Sequence, residues 1–331
     1  MNDIAAPDSM AESVLSGYRL LRETCGRVNV GGRHAVVLTG EDRKGWLQGQ
    51  ATNDLRHLGP GSYIPFCLCS ATGQIEGIYG LWGLPDRLIL TAEKQAVDVL
   101  LHRVEKMVIL EEVHASVDEY AIISLQGPQA TDRLQEFVPN LPSLNSGEGE
   151  IDGEEVIVLR SNRTGFGGWA VLVRPGGAAQ AKLEAAFPLV DDLAFQIARL
   201  EAGIPVYGVD TNSRTLPPEL GSAFENSHVN YKKGCYMGQE VLMRLHSRGH
   251  TNQTWMGIFC DGPVAAGDKL SHPRRPEAGE ITSAYESPEF GWIAGAYVRR
   301  EVAYTGEIVT IRSASGEVQG EVQEMPLLRL E

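Results

Sequence analysis

Apolar and polar positions along the chain follow two rhythms, one of strands and one of helices. Val97, Leu100, Leu101, Val104 and Val108 recur at three- and four-residue steps, which predicts an amphipathic helix. Ser13 to Thr24 predicts a shorter one. HAVVLT, from His34 to Thr39, reads as a strand running through Gly40 into the helical EDRKGWLQGQ. YAIISLQGPQATDRLQEF, from Tyr120 to Phe137, repeats the order of strand, glycine and helix. The echo predicts two related strand-turn-helix units in one mixed sheet.

Between the two units, Tyr63 to Leu90 reads as a meander. Cys67 and Cys69 stand two apart on one strand, hence on one face, where free cysteine is usually buried. Residues 54–115 therefore form an expected inserted α+β unit. GEGEIDGEE, from Gly147, reads as an acidic loop, and VIVLR and WAVLVR as strands around the turn SNRTGFGG. That turn lacks the strand-then-helix setting of a nucleotide fingerprint and reads as a hairpin. After Asp261, GWIAGAYVRR, EIVTIRS and GEVQGEVQ carry strand rhythm and no helical one, which predicts a small antiparallel barrel or sandwich.

Charge narrows the function. A formal net charge of -14 over 331 residues opposes a nucleic-acid backbone, so direct nucleic-acid binding is not expected. Residues 231–250 are a basic exception: Lys232, Lys233, Arg244 and Arg248 face the single acid Glu240, a balance suited to a small anionic ligand or an acidic partner. The opening MNDIAAPDSMAES lacks the basic start and apolar run of a secretory signal, and no apolar stretch reaches membrane-spanning length. A cytoplasmic protein without membrane contact is expected. Cys25, Cys67, Cys69, Cys235 and Cys260 are odd in number and include no C-x-x-C pair, so reduced thiols are expected, and no structural zinc or cluster held by this chain alone.

Two segments break local rules. In DDLAFQIARLEAGIPVYG, Leu193, Ile197, Leu200 and Ile204 form a helical stripe with Glu201 on its shoulder, half buried and in the last turn before Gly203 and Pro205. A negative charge there opposes the helix dipole, and no cation stands three or four residues away. Either a ligand or a distant arginine must compensate. In KKGCYMGQEVLMR, a helix beginning near Gly238 puts Cys235 just ahead of an N-terminus, beside two lysines, a setting that favours a thiolate. A packed, inert cysteine is the other reading. Glu240 and Arg244 read as a surface pair. His246 and His250 are separated by Gly249 and lack a fourth ligand, so no metal site is expected.

KKGCYMGQE, RLEAGIPVYGVD, LPPELG and WLQGQATNDL together resemble the YgfZ-type folate-binding proteins, relatives of the aminomethyltransferase (T-protein) of the glycine cleavage system. The resemblance implies an α+β fold: a three-domain ring around a folate channel, with two ferredoxin-like or mixed α+β domains and a C-terminal β-barrel. The implied domains are residues 1–53 plus 116–235, the insertion 54–115, and 236–331. It implies tetrahydrofolate as cofactor, Glu201 on the pterin edge, and Glu219, Lys233, Gln239, Arg244 and Arg248 as further folate contacts, the arginines toward the glutamyl tail. Cys235 is the implied functional thiol. T-proteins carry G-G-x-I-D-D where this chain reads Thr72-Gly-Gln-Ile-Glu-Gly77, so Glu76 can replace the first acid but Gly77 cannot replace the second. The resemblance therefore implies an accessory factor for iron–sulfur protein assembly or repair, with client or assembly proteins as partners and an indirect effect on tRNA modification. A folate-dependent one-carbon transferase using Glu76 is the enzymatic alternative.

Overall fold

A computed structural model of the chain describes residues 10–117, 119–139, 141, 145–314 and 316–328. The opening segment read for a secretory signal lies largely outside the described residues. In chain order the elements are α1 (Glu12–Glu23), β1 (Gly26–Val28), β2 (Arg33–Thr39), α2 (Arg43–Gln48), β3 (Tyr63–Cys69), β4 (Ile75–Gly83), β5 (Leu88–Glu93), α3 (Lys94–Met107) and β6 (His114–Val117). Then follow β7 (Ala121–Gln126), α4 (Ala130–Gln135), β8 (Ser146–Ile151), β9 (Glu154–Arg160), β10 (Gly168–Val173), α5 (Ala178–Ala186) and α6 (Asp192–Glu201). A 3₁₀ turn at Pro217–Leu220, α7 (Ser222–His228) and α8 (Gln239–Arg248) lead into β11 (Gln253–Cys260), β12 (Lys269–His272), β13 (Arg275–Ser287), β14 (Gly291–Arg299), β15 (Ile308–Ser313) and β16 (Gly316–Gln323), with a second 3₁₀ turn at Arg300–Val302.

The strands form two five-stranded sheets, ordered β3-β4-β5-β2-β6 and β1-β7-β10-β9-β8, and a closed barrel ordered β11-β14-β13-β12-β15-β16. The expected barrel is thus present. The echoed units are not in one mixed sheet: β2 pairs with β5 and β6, β7 pairs with β1 and β10, and all of these pairings are antiparallel. β2, which sequence assigned to the first domain, hydrogen-bonds into the sheet of the inserted unit.

Side-chain alternation explains why the two units stay separate yet adjacent. On β2, Val36 and Leu38 face a core with α2 and α3, while Ala35 and Val37 face the other way. On β9, Val156 and Val158 face α4 and α5, while Ile157 and Leu159 face the other way. The outward sets meet as one cluster with Trp82, Leu84, Ile89, Ala170 and Leu172, so the sheets pack back to back. Strands buried on both faces read as the near-continuous apolar runs seen in the sequence.

The segment read as an acidic loop is instead strand β8. Ile151 shares one face with Gly147 and Gly149, toward the core of α4 and α5, and Glu148 and Glu150 share the other with Ser146, while the turn to β9 falls on Asp152 and Gly153, both at positive φ (51° and 80°). Such an Asp-Gly pair fits a two-residue hairpin, whose charged outer face masked the strand signal.

Helix α6 joins the halves. Asp191 caps it by accepting from the Leu193 N–H, and Gly203 at φ 66° ends it. From its buried face Arg199 reaches the barrel, donating to Asp210 (2.5 Å) and Ser283 (3.0 Å). Asp210 also accepts from the Thr282 and Ser283 hydroxyls and the Val206 N–H. Both partners of the Arg199–Asp210 pair are almost fully buried. Removing one leaves a buried unpaired charge, so Asp210→Ala is expected to destabilise the protein by about 3–5 kcal/mol in urea unfolding. A loss below about 1 kcal/mol would show that the pair is not what holds the barrel to α6.

Candidate functional site

The motifs that stand far apart in sequence meet around one corner of the fold. Lys233 is buried, and its ammonium donates to the Gln48 carbonyl (2.6 Å) and to the Ala51 carbonyl, inside WLQGQATNDL. Thr52 continues the junction, donating to the His228 carbonyl (2.7 Å) and accepting from the Cys67 N–H (2.8 Å). Asn53 donates to the Pro65 and Ser227 carbonyls. Gly238, at φ 83°, lets α8 start against the 70–74 hairpin: a Cβ there would stand 2.4 Å from the Ser70 carbonyl. Packing and main-chain capping, rather than side-chain pairing, fix the geometry of KKGCYMGQE.

Beside this junction lies a cavity of about 270 Å³, just under the range of roughly 300–1,000 Å³ usual for small-ligand sites. Its walls come from segments far apart in the chain. β3, β4 and β5 supply Tyr63, Ile78, Tyr79, Trp82 and Glu93, and Arg33 enters from β2. The turn SNRTGFGG supplies Ser161, Asn162 and Arg163, the end of RLEAGIPVYG supplies Ala202 to Pro205 and Tyr207, and α7 supplies Phe224, Ser227 and His228. Met325 and Pro326 close it from the far end of the chain.

The cavity is aromatic with a polar cluster in its wall. Arg33 pairs with Glu93 and donates to the Thr91 carbonyl (2.8 Å). Burial pushes the Glu93 carboxyl up, but Arg33 and Arg163 outweigh it and leave the group below its usual range. Burial, with Arg33 close by, lowers Arg163 to about 9. His228 is held neutral, its pKa brought down to about 4 by burial, and its ring stacks on Phe224 at 3.8 Å. Sequence reasoning missed Arg33, Glu93 and Arg163, because nothing in one strand start or one glycine-rich turn marks them as neighbours.

The expected folate contacts are distributed otherwise. Glu201 does not line the cavity and is fully buried rather than half buried. Its carboxylate pairs with Arg22 and accepts from the Tyr18 hydroxyl (2.9 Å) and the Ser287 hydroxyl (2.5 Å). The compensating cation is therefore a distant arginine on α1, and three protein donors already meet the carboxylate where a pterin contact was expected. Burial raises the carboxyl pKa, with Arg22 opposing. Glu219 is likewise internal, accepting from the Leu216 N–H (2.8 Å). Arg244 and Arg248 are exposed on α8, outside the cavity, and Glu240 does not pair with Arg244 among the described residues. Gln239 is the first residue of α8 and also lies outside the cavity, and Lys233 serves the loop carbonyls. Cys235 is exposed, so the reading as a packed cysteine is set aside, while Cys67 and Cys69 are fully buried.

The 72–77 segment is also constrained. Glu76 pairs with Arg103, which donates as well to the Cys69 carbonyl. At Gly77 a Cβ would stand 2.5 Å from the Tyr79 hydroxyl and 2.7 Å from the Ala96 Cβ, so a side chain there requires both neighbours to move.

The GCVT N-terminal domain model matches residues 5–226, about two thirds of the chain. The chain belongs to the GCVT family. Among relatives, an aminomethyltransferase of Rubrobacter xylanophilus is 30% identical over 86% of this chain and 78% of its own length. A tRNA-modifying protein YgfZ of Colwellia psychrerythraea is 21% identical over 85% of this chain and 86% of its own length. The crystal structure of the glycine cleavage system aminomethyltransferase T from Bartonella henselae superposes with a TM-score of 0.85 at 22% identity, covering 95% of this chain and 89% of that one. The expected aminomethyltransferase-like arrangement of two α+β units and a barrel is thereby that of this GCVT-family chain.

The buried Lys233 gives this site a pH signature. Burial lowers its pKa from the usual 10.5 to about 8, so between those values the unfolded chain binds more protons than the folded one. Stability from this group is present in full above 10.5 and is lost as the pH falls through 8. The unfolding free energy of the wild type relative to Lys233→Met is therefore expected to rise between pH 8 and 10, measured by urea titration at each pH. A flat difference would mean that the ammonium is not desolvated at the motif junction.

Proposed function

We propose that this GCVT-family chain binds tetrahydrofolate, or a derivative of it, in the cavity and acts as an accessory factor in iron–sulfur protein assembly or repair, affecting tRNA modification only indirectly. The cavity fits such a ligand in chemistry. Tyr63, Tyr79, Trp82, Tyr207 and Phe224 offer ring surfaces, and Arg33, Glu93 and Arg163 offer polar partners. Tetrahydrofolate supplies reduced ring nitrogens able to carry a one-carbon unit; the chain's part is to bind and orient it.

The observation that carries the accessory role over transfer is at Gly77. Related T-proteins hold an acid near the folate nitrogen at the position where this chain has glycine, and a side chain at Gly77 would press on the Tyr79 hydroxyl and the Ala96 Cβ. Glu76, the alternative acid, is committed to Arg103. Cys235, by contrast, is exposed on a loop that the buried Lys233 anchors two residues away, which supports its reading as the working thiol. The transferase reading keeps one support, the names of relatives such as the one from Rubrobacter xylanophilus.

Calorimetry is expected to give saturable binding of tetrahydrofolate, and aminomethyl-lipoyl protein is expected not to be turned over. Absence of any folate binding would sink the proposal, leaving a structural adaptor; turnover would favour the transferase. In a strain lacking the native protein, Cys235→Ala is expected not to restore iron–sulfur enzyme activity. Full restoration would remove the thiol from the account.

A further inference from the structure

Arg163 stands in the cavity wall with donors to spare. Its Nε is buried and has no hydrogen-bond partner among the described residues, and Glu93, the carboxylate that acts on it, is already paired with Arg33. A desolvated guanidinium without its own acceptor is costly, and two guanidinium groups sharing one carboxylate leave an uncompensated positive charge. The turn nevertheless holds Arg163 in place from both sides. The Arg163 N–H donates to the buried Gln126 side chain (2.8 Å), which in turn donates to the Ser161 carbonyl (2.8 Å). On the other flank Arg22 donates to the Thr164 carbonyl (2.9 Å) while paired with Glu201. Gly165 and Gly167 take positive φ (91° and 92°), so the turn bends just after these two anchors. Glu201 thus acts on the cavity at one remove, by fixing the turn that carries Arg163.

Position limits what Arg163 can meet. Its neighbours Ser161 and Asn162 are partly or fully exposed, and so are Ala223 and Ser227 across the opening, whereas Tyr79, Trp82 and Leu220 are buried. Arg163 therefore stands toward the rim of the cavity, where Tyr63 is also exposed, while Tyr79 and Trp82 line its buried part. A guanidinium offers five N–H donors and no acceptor, so it cannot meet the N–H-rich edge of a pterin; a planar carboxylate is its natural bidentate partner. Arg244 and Arg248, the arginines expected to hold such a group, lie outside the cavity.

We infer that Arg163, supported by the Arg33–Glu93 pair, binds a carboxylate of the ligand's glutamate and so selects glutamate-bearing folates. This rests on the folate reading above and makes that reading more specific.

The test is a thermodynamic cycle between one side chain and one ligand group. Calorimetry compares tetrahydrofolate with tetrahydropteroate, which lacks the glutamate, on the wild type and on Arg163→Gln. On the wild type, loss of the glutamate is expected to weaken binding by about ten- to a hundredfold, the range of a hydrogen-bonded charge pair. On Arg163→Gln the two ligands are expected to bind within about twofold of each other, with tetrahydropteroate as tight as on the wild type, which also shows that the variant is folded. Arg163→Lys, which keeps the charge without the fork, is expected to fall between. Equal binding of the two ligands by the wild type overturns the inference and leaves the folate reading standing. So does a glutamate preference that survives Arg163→Gln, or an equal loss of both ligands in that variant. No binding of either ligand by the wild type overturns both.

Discussion

Two opposite charges in the last turn of α6, two residues apart, hold the molecule in register. Arg199 is buried against Asp210 and the barrel, and Glu201 is buried against Arg22 on α1. Desolvating either alone would cost several kcal/mol, so each is tolerable only when its partner element is docked. The helix cannot keep both bonds unless α1, the barrel and its own C-terminus arrive together. The segment leaving that turn, Ala202 to Tyr207, is the part that lines the cavity. Closing the fold and forming the cavity wall are therefore one event.

The same logic runs through the loops. Lys233 has traded water for two main-chain carbonyls, and Thr52 and Asn53 tie the same corner to α7 and β3. These contacts fix a short loop and leave the Cys235 thiol exposed on it. Gly238 and Gly77 are needed for space: one lets α8 approach the 70–74 hairpin, the other lets Tyr79 and α3 close over β4.

The sequence made local pattern legible and long-range partnership illegible. α1, α3, the meander and the barrel strands follow from periodicity, because each buries a face set by its own residues. β8 was read as a loop because its outward positions include glutamates and two of its inward ones are glycine, and only pairing with β9 reveals the alternation. The two echoed units were placed in one sheet because repetition says that segments are alike, not that they are neighbours. Glu201 was recognised as a residue needing a partner, yet Arg22 lies 179 positions earlier. Arg163 gave no signal beyond a glycine-rich turn, since its role arises from Arg33 and Glu93, which the chain brings near only after both sheets have packed. Arg244 and Arg248 drew attention through local charge density, which marks a surface but not a cavity.

The proposed occupant of the cavity between the two sheets and the end of α6 is a reduced folate. Hydrogen exchange read by mass spectrometry, with and without tetrahydrofolate, tests the location directly. Slowed exchange is expected in Ser161 to Gly165, in Ala202 to Tyr207 and in α7, with little change along α8. Slowing confined to α8, or slowing elsewhere that spares these three segments, would contradict that placement.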